Sequence, residues 1–370
     1  MEALQGERAR TNRRPVIVVG GYGQVGRRIA RGLIDCAREV VVAGRSERRS
    51  RRAAHELGCR GATLDVGEPG TWASAVGVAG AVVVCVDQTD DAFARWVLER
   101  GVDYIDITAG DAFLRKVERL DPIARGAGST ALLSVGLAPG VTNLLVKDCV
   151  DRLDSAEHAR IALLLGVGER HGDAGIEWTL DQLARVSPIA SLVPVRYPGS
   201  AASTVAVPLE IADQHVVLRT QQLRSAETVV TLESSRWTRV AVALGPSLRW
   251  SSVRALVRYL LPRVRLGSER CAVVVEVRGA LASAPHVTRG GFVGAREVEV
   301  TARVAAKITD ALAERRRPGV FHIDQLFDLK DIRAHVDGRW EFSDRASSTL
   351  GPEVSPRWGR SRSSTTTAGS

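Results

Sequence analysis

Gly21, Tyr22, Gly23, Gln24, Val25 and Gly26 carry the clearest chemical signal in this chain. The run Val16-Ile17-Val18-Val19 comes before them. A helical pattern with Val25, Ile29, Leu33 and Ile34 on one face comes after. A strand, a glycine turn and a helix in that order cradle the pyrophosphate of a dinucleotide. Gly21 is expected to make the tight turn. Gly23 would let the backbone approach the phosphates, and Gly26 would bring the helix against the strand. The first N–H groups of such a helix have no intrahelical partner and face an anion, and the helix dipole adds to the attraction.

The end of the next strand selects the dinucleotide. Glu39–Ala43 reads as that strand, followed by Gly44, Arg45 and Ser46. An acid at this point would accept from a ribose 2′-hydroxyl, and none is present. The guanidinium of Arg45 and the hydroxyl of Ser46 suit a 2′-phosphate instead. NADP is therefore the expected cofactor, with NAD second. Asp65, Asp87 and Thr108 follow later strands, and Pro139-Gly140 forms a turn after another. All of them should line the crevice at the carboxyl ends of a parallel sheet.

Proton transfer needs a titratable group beside that crevice. His171, Asp173 and Glu177 lie in a polar, glycine-rich stretch, 168–178, that runs into a helix, and they are the candidates. The same residues read equally well as an exposed loop with helix-capping acids. His55, His158, His215, His286, His322 and His335 stand alone and read as structural. No His, Cys, Asp or Glu set has metal-ligand spacing, so no metal is expected. Cys36, Cys59, Cys85, Cys149 and Cys271 are scattered and read as reduced thiols in a cytoplasmic protein.

The elements that must hold these groups alternate along the first part of the chain. Strand patterns occur at Val16–Val19, Glu39–Ala43, Ala62–Val66, Ala81–Val86, Gly101–Thr108 and Thr130–Val135. Helical patterns separate them. Ala81–Val86 is apolar throughout, as a strand covered on both faces must be. This predicts an α/β fold, a doubly wound parallel Rossmann sheet. The helix that begins near Thr142 should present the polar groups of Thr142 and Asn143. The middle region reads as strands at Ala159–Leu165, His215–Arg219, Thr228–Leu232 and Cys271–Arg278, with helices at Gly175–Ala184 and Ser252–Leu261. A second α+β substrate domain with a mostly antiparallel sheet is expected there. Val298–Leu312 is helical, then Arg315-Arg316-Arg317 suits the dipole of its carboxyl end and Pro318-Gly319 stops it.

Bulk properties narrow the class. With 370 residues, 45% hydrophobic and 25% charged, the chain can build two cored domains. No apolar run is long enough to span a bilayer, and no secretory leader is visible. The net charge is +9, spread over many arginines rather than one dense tract with interleaved aromatics. We expect a small-molecule substrate, no nucleic-acid or membrane partner, and a homodimer.

The glycine loop, Ala43-Gly44-Arg45, Val102-Asp103-Tyr104-Ile105-Asp106 and the turn Gly136–Leu144 occur in the same order as in the saccharopine dehydrogenase/reductase-like family, which this chain resembles over roughly residues 15–150 and again near 295–335. The resemblance implies a Rossmann domain, an α/β substrate domain and a return of the chain to the first. It divides the chain into 15–140, completed by 295–345, and 141–294 for substrate and dimerisation. Residues 1–14 and 346–370 read as disordered ends. It also implies NADPH-dependent reduction of an imine or carbonyl of an amino-acid-derived substrate. A trans-acting enoyl reductase and a non-catalytic NADP-binding protein are the alternatives on the same scaffold.

Overall fold

The computed structural model describes residues 14–168, 173–186, 192–260 and 267–346; for 173–175, 178 and 260 it describes the backbone alone. The first part of the chain runs β1 (Val16–Val19), α1 (Gln24–Asp35), β2 (Val40–Gly44), α2 (Glu47–Leu57), β3 (Arg60–Thr63), α3 (Trp72–Val76), β4 (Ala81–Val84), α4 (Ala92–Glu99), β5 (Asp103–Asp106), α5 (Asp111–Glu118), α6 (Asp121–Ala127) and β6 (Thr130–Leu133). The middle contains α7 (Thr142–Val150), β7 (Ser155–Leu165), α8 (Asp173–Arg185), β8 (Val193–Val195), β9 (Thr204–Pro208), α9 (Ala212–Thr220), β10 (Ser225–Leu232), α10 (Ser235–Leu244), α11 (Ser251–Leu260), β11 (Arg270–Leu281) and β12 (Ala284–Ala295). The last part is α12 (Glu297–Leu312), β13 (Gly319–His322), α13 (Ile323–Leu326), α14 (Lys330–Arg333) and β14 (Arg339–Ala346).

Seven parallel strands form the first sheet, in the order β13-β6-β5-β4-β1-β2-β3. Val16, Val18, Val42 and Val83 face one apolar cluster; Ile17, Val19, Val82 and Val84 face another. Burial on both faces explains why these strands are apolar runs without alternation. The strand order reverses between β1 and β4. The crevice at their carboxyl ends is where doubly wound sheets bind ligands.

α12 brings the chain back to this sheet. It lies against α1, where a Cβ on Gly32 would come within 2.8 Å of the Ala306 Cβ. Ala302, Ala305 and Ala306 are buried in the same contact. β13 then extends the edge beside β6, with Gly319 opposite Thr130 and His322 opposite Leu133.

The second sheet has the order β14-β12-β11-β7-β10-β9-β8. Its neighbours are antiparallel except β7 with β10, so it is mixed. Ile161 and Leu163 face the main core, and Ala162 and Leu164 the opposite side, the period-two pattern of a strand. α7 packs on this sheet with Leu144, Leu145, Val146 and Cys149 fully buried.

Several expectations are corrected. His215–Arg219 is not a strand. It lies in α9, because Ala212 and Val216 pack into the cluster beneath the first sheet while Val217 packs into the other core. Packing has overridden the strand preference of the Val216-Val217 pair. The third strand is Arg60–Thr63 rather than Ala62–Val66, and it is a largely exposed edge. The return to the first sheet ends before 345. β14 pairs with β12 in the second sheet, and Trp340 lies against Phe292 with ring centroids 4.6 Å apart. The two ends expected to be disordered lie almost wholly outside the described residues. No helix among the described residues is long and apolar enough to cross a membrane.

Candidate functional site

The β1–α1 turn is shaped by contacts that only glycine permits. Gly20, with φ +77°, takes the left-handed turn expected of Gly21. A Cβ on Gly21 would sit 2.7 Å from the Val18 carbonyl oxygen, so its role is close packing. A Cβ on Gly26 would sit 2.5 Å from the Gly20 oxygen and 2.9 Å from its carbonyl carbon. Both are backbone atoms that cannot swing away. Gly23 caps α1 with extended backbone, and Arg27 N–H makes the first helical bond to the Gly23 oxygen at 3.0 Å. The N–H groups of Gln24, Val25 and Gly26 precede that bond and are the helix's unpaired donors. No acid lies in the first turn. This cradle fits a pyrophosphate.

The end of β2 adjoins the loop. A Cβ on Gly44 would lie 2.4 Å from the Tyr22 ring, so Gly44 leaves the space that Tyr22 fills. The Arg49 guanidinium stands over that ring, 6.0 Å from its centroid. Ser46 caps α2, its hydroxyl oxygen accepting from Arg49 N–H at 3.4 Å, which leaves its own O–H to donate. Arg45 is exposed, and no ion pair holds it among the described residues. Arg45, Ser46 and Arg49 therefore present two guanidiniums and a hydroxyl where a 2′-phosphate would lie. Arg49 was not foreseen, though its place one turn into α2 was readable. A groove of about 590 Å³ begins at Tyr22–Gln24 and runs along α1 past Arg27 and Arg31 to Glu299 and Arg303.

Asp65 ends the β3 segment at the same edge. Its side chain accepts from Gly67 N–H at 3.0 Å, and its carbonyl accepts from Trp72 Nε1 at 2.8 Å. Beyond β4, Asp87 is exposed and Gln88 turns inward. Gln88 Nε2 donates to Tyr104 Oη at 2.6 Å and to Asp106 Oδ2 at 3.0 Å, and Tyr104 Oη donates to the same Asp106 oxygen at 2.5 Å. Thr108 N–H donates to Asp106 Oδ1 at 2.6 Å. Burial pushes the Asp106 carboxyl above the usual range, against the Thr108 and Tyr104 hydrogen bonds, and the Asp87 charge adds to the rise. Burial and the Asp106 charge also raise the Tyr104 phenol. The Gln88 Oε1 acceptor is buried without a partner among the described residues.

Pro139 and Gly140 are brought to this edge by the turn that enters α7. A Cβ on Gly140 would come within 3.2 Å of the Ser134 oxygen, and Gly140 N–H donates to Asn143 Oδ1 at 3.0 Å. Thr142 and Asn143 are fully buried, contrary to the expectation that they present polar groups. The reason is α9, which packs over the turn and covers them. Asp213, in the first turn of α9, is also buried; its Oδ1 accepts from Thr228 Oγ1 at 2.7 Å and Gln214 N–H at 2.8 Å. Burial lifts its carboxyl to about 6, with the Thr228, Gln214 and Thr142 hydrogen bonds acting against the rise. No local pattern marks Asp213, because its burial depends on a helix that reads as a strand.

A second chain of polar groups joins the same edge to the surface. Ser134 follows β6 with φ +61°, an uncommon conformation for a serine. Its Oγ lies 2.8 Å from His322 Nδ1, and His322 Nε2 lies 2.9 Å from Glu118 Oε1. His322 caps α13, and its ring lies between Ser134 and Glu118. Burial opposes charge on Glu118, but hydrogen bonds from His322 and Arg219 outweigh it and hold the carboxyl below its ordinary range. Ser134 and His322 are buried while Glu118 reaches solvent. Such a chain can carry a proton between the sheet edge and the surface.

Of the three proton-transfer candidates, the structure describes the side chain of Glu177. His171 lies outside the described residues. Asp173 opens α8, but its side chain is not described. Glu177 belongs to an ion-pair lattice in the helical layer on the second sheet. It is bound by Arg254 and, at 3.1 Å, by Arg258. Those two guanidiniums hold its carboxyl below the usual range, which favours its ionised form. No group of three or more His, Cys, Asp or Glu that could hold a metal lies among the described residues.

Residues 16–132 match the saccharopine dehydrogenase NADP-binding domain. No curated protein matches the chain in sequence. Among solved structures it is similar to apo saccharopine dehydrogenase (L-Glu forming) from Saccharomyces cerevisiae, with a TM-score of 0.60 and 12% identity over 89% of this chain and 100% of that one. It is also similar to a homospermidine synthase from Legionella pneumophila in complex with NAD, with a TM-score of 0.59 and 11% identity over 94% of this chain and 95% of that one. At such identities the likeness is one of fold. Residues 16–132 of this chain thus match the saccharopine dehydrogenase NADP-binding domain, and the overall fold is similar to that of saccharopine dehydrogenase and homospermidine synthase.

Proposed function

We propose that this protein is an NADPH-dependent oxidoreductase that reduces an imine or carbonyl carbon of an amino-acid-derived substrate. The observation that carries the cofactor choice is the end of β2. It has no acid, and Arg45, Ser46 and Arg49 surround the point where a 2′-phosphate would bind.

Gly21–Gly26 would hold the pyrophosphate, and Asp65 would lie on the adenosine side. Asp87, Thr108, Pro139 and Gly140 would border the nicotinamide. Bound NADPH supplies the hydride, so the protein's work is to orient the reacting carbon and exclude water. His171 and Asp173 are kept as proton-donor candidates; the Ser134–His322–Glu118 chain supports a route by which such a donor is recharged. A homodimer acting on a small molecule completes the reading.

The test is cofactor oxidation by the full chain. NADPH should be consumed with mixtures of a 2-oxo acid and an amine, and NADH should be consumed far more slowly. Turnover of an enoyl thioester alone would favour an enoyl reductase. Tight NADPH binding without turnover of any substrate would overturn the enzyme reading.

A further inference from the structure

The helical layer on the second sheet has an outer face that the proposed chemistry does not use. α10 and α11 are joined by a tight turn at Gly245–Arg249, and their inner faces close on a small core. Leu180, Leu183 and Leu248 are buried there, with Ala241, Val253 and Val257 packed against them. The outer faces are apolar and open. On α10, Trp237, Val240 and Leu244 fall at i, i+3 and i+7 and are 40%, 47% and 50% exposed. Trp250 is 68% exposed, and Leu256 on α11 is 56% exposed. Residues scattered singly would need no explanation, but a helical stripe continued onto a second helix does.

The charge on this segment is one-sided. From Ser234 to Ser268 the sequence has no Asp or Glu. Arg236, Arg239, Arg249 and Arg258 are exposed among the apolar residues. Arg258 is tied to Glu177 and Arg249 to the Ala184 carbonyl, whereas Arg236 and Arg239 make no ion pair with the described residues. An apolar face bearing Trp and Leu, flanked by arginine and free of acid, is what an interfacial helix presents to a charged bilayer surface.

We propose that the outer face of α10 and α11 attaches the protein peripherally to an anionic lipid bilayer. Charge decides against a second copy. An isologous contact would set this acid-free face against itself and bring like charges together. The aliphatic residues Val240, Leu244 and Leu256 decide against nucleic acid, since they neither pair with phosphate nor stack on bases. Attachment at the interface needs no membrane span, so it revises only the expectation that no membrane partner exists.

Flotation of the full chain with phosphatidylcholine vesicles, with and without phosphatidylglycerol, tests this. The protein should float with the anionic vesicles at low salt, stay behind with neutral ones, and be released as salt rises. Its tryptophan emission should shift to the blue on binding. The double variant Arg236→Gln/Arg239→Gln should weaken anionic-vesicle binding by roughly tenfold. Trp237→Ser/Leu244→Ser should weaken it by a similar factor and reduce the blue shift. Because all four residues are exposed, both variants should keep the parent's thermal midpoint and NADPH affinity. Failure of the parent to float, or flotation that neither variant reduces, overturns the proposal. So does a dimer that dissociates in these variants, or a DNA duplex that competes with the vesicles.

Discussion

The two sheets of this protein are built on opposite plans. The first is parallel throughout, its strands are short, and β1, β2, β4, β5 and β6 are buried along their whole length. The polar groups of its candidate site gather at the carboxyl ends of the strands: Arg45 after β2, Asp87 after β4, Asp106 at the end of β5 with Thr108 beyond it, Ser134 after β6 and His322 at the end of β13. The second sheet is mixed, with strands as long as the twelve residues of β11 and β12, and it alternates between two cores. Its charged groups lie along strands and helices and are spent on one another, as in Arg160 with Glu227 and Arg254 with Glu177. In the parallel sheet every strand delivers its polar end to one edge, so a site assembles there by topology. In the mixed sheet neighbouring strand ends point in opposite directions, and no edge collects them.

This contrast can be broken most sharply at the glycine loop. Gly26→Val drives a branched side chain into the Gly20 backbone. It should cost about 3 kcal/mol or more in stability and lower NADPH affinity by roughly a hundredfold. Gly70→Val, with nothing within 4 Å of its Cβ, should do neither. Thermal unfolding and NADPH fluorescence titration report both effects, and equal behaviour of the two variants would deny the loop its special role.

Asp213 tests whether α9 belongs to the site's energetics. Its folded pKa, about 6, lies above that of an unfolded Asp near 3.8. Below the lower value both states hold the proton. Between the two values only the folded state holds it, so stability falls as pH rises and is lowest above about 6. Asp213→Asn keeps an acceptor oxygen for Thr228 and Gln214. It should therefore gain about 3 kcal/mol in urea unfolding near pH 8 and nothing near pH 4. A pH-independent difference would show that Asp213 is not charged against its burial.

Arg45→Ala sharpens the cofactor reading. NADPH should bind roughly ten- to a hundredfold more weakly, with NADH changed by no more than about twofold. Equal losses for both would remove the 2′-phosphate assignment. The smallest effect is expected at Glu177. Glu177→Gln breaks an exposed ion-pair lattice, so the thermal midpoint should move by no more than roughly 3 °C and turnover should stay the same. A collapse of turnover would return Glu177 to the catalytic candidates.

The legibility of the molecule follows the same division. The strands read at Val16–Val19, Glu39–Ala43 and Ala81–Val86, observed at Val16–Val19, Val40–Gly44 and Ala81–Val84, were readable because a doubly covered strand must be apolar at every position. β12 was not readable. Its Gly290 and Gly291 look like a turn, yet they lie where the Leu145 side chain and Pro198 press against the strand. The cofactor half of the candidate site was legible because its donors are backbone groups fixed by glycine spacing and one cation at a strand end. The proton half was not. His322 meets Ser134 across 188 positions and Glu118 across 204, distances at which no local pattern speaks.

The sequence by itself determined the parallel sheet, the dinucleotide cradle and the acid-free end of β2, because each rests on local periodicity, glycine geometry and charge within a few residues. Only the tertiary structure decided that Glu177 is spent on arginines, that Asp213 is buried beside the Pro139–Asn143 turn, and that Ser134, His322 and Glu118 form one chain. Burial and long-range pairing set those properties, and both come into being only when distant segments pack together.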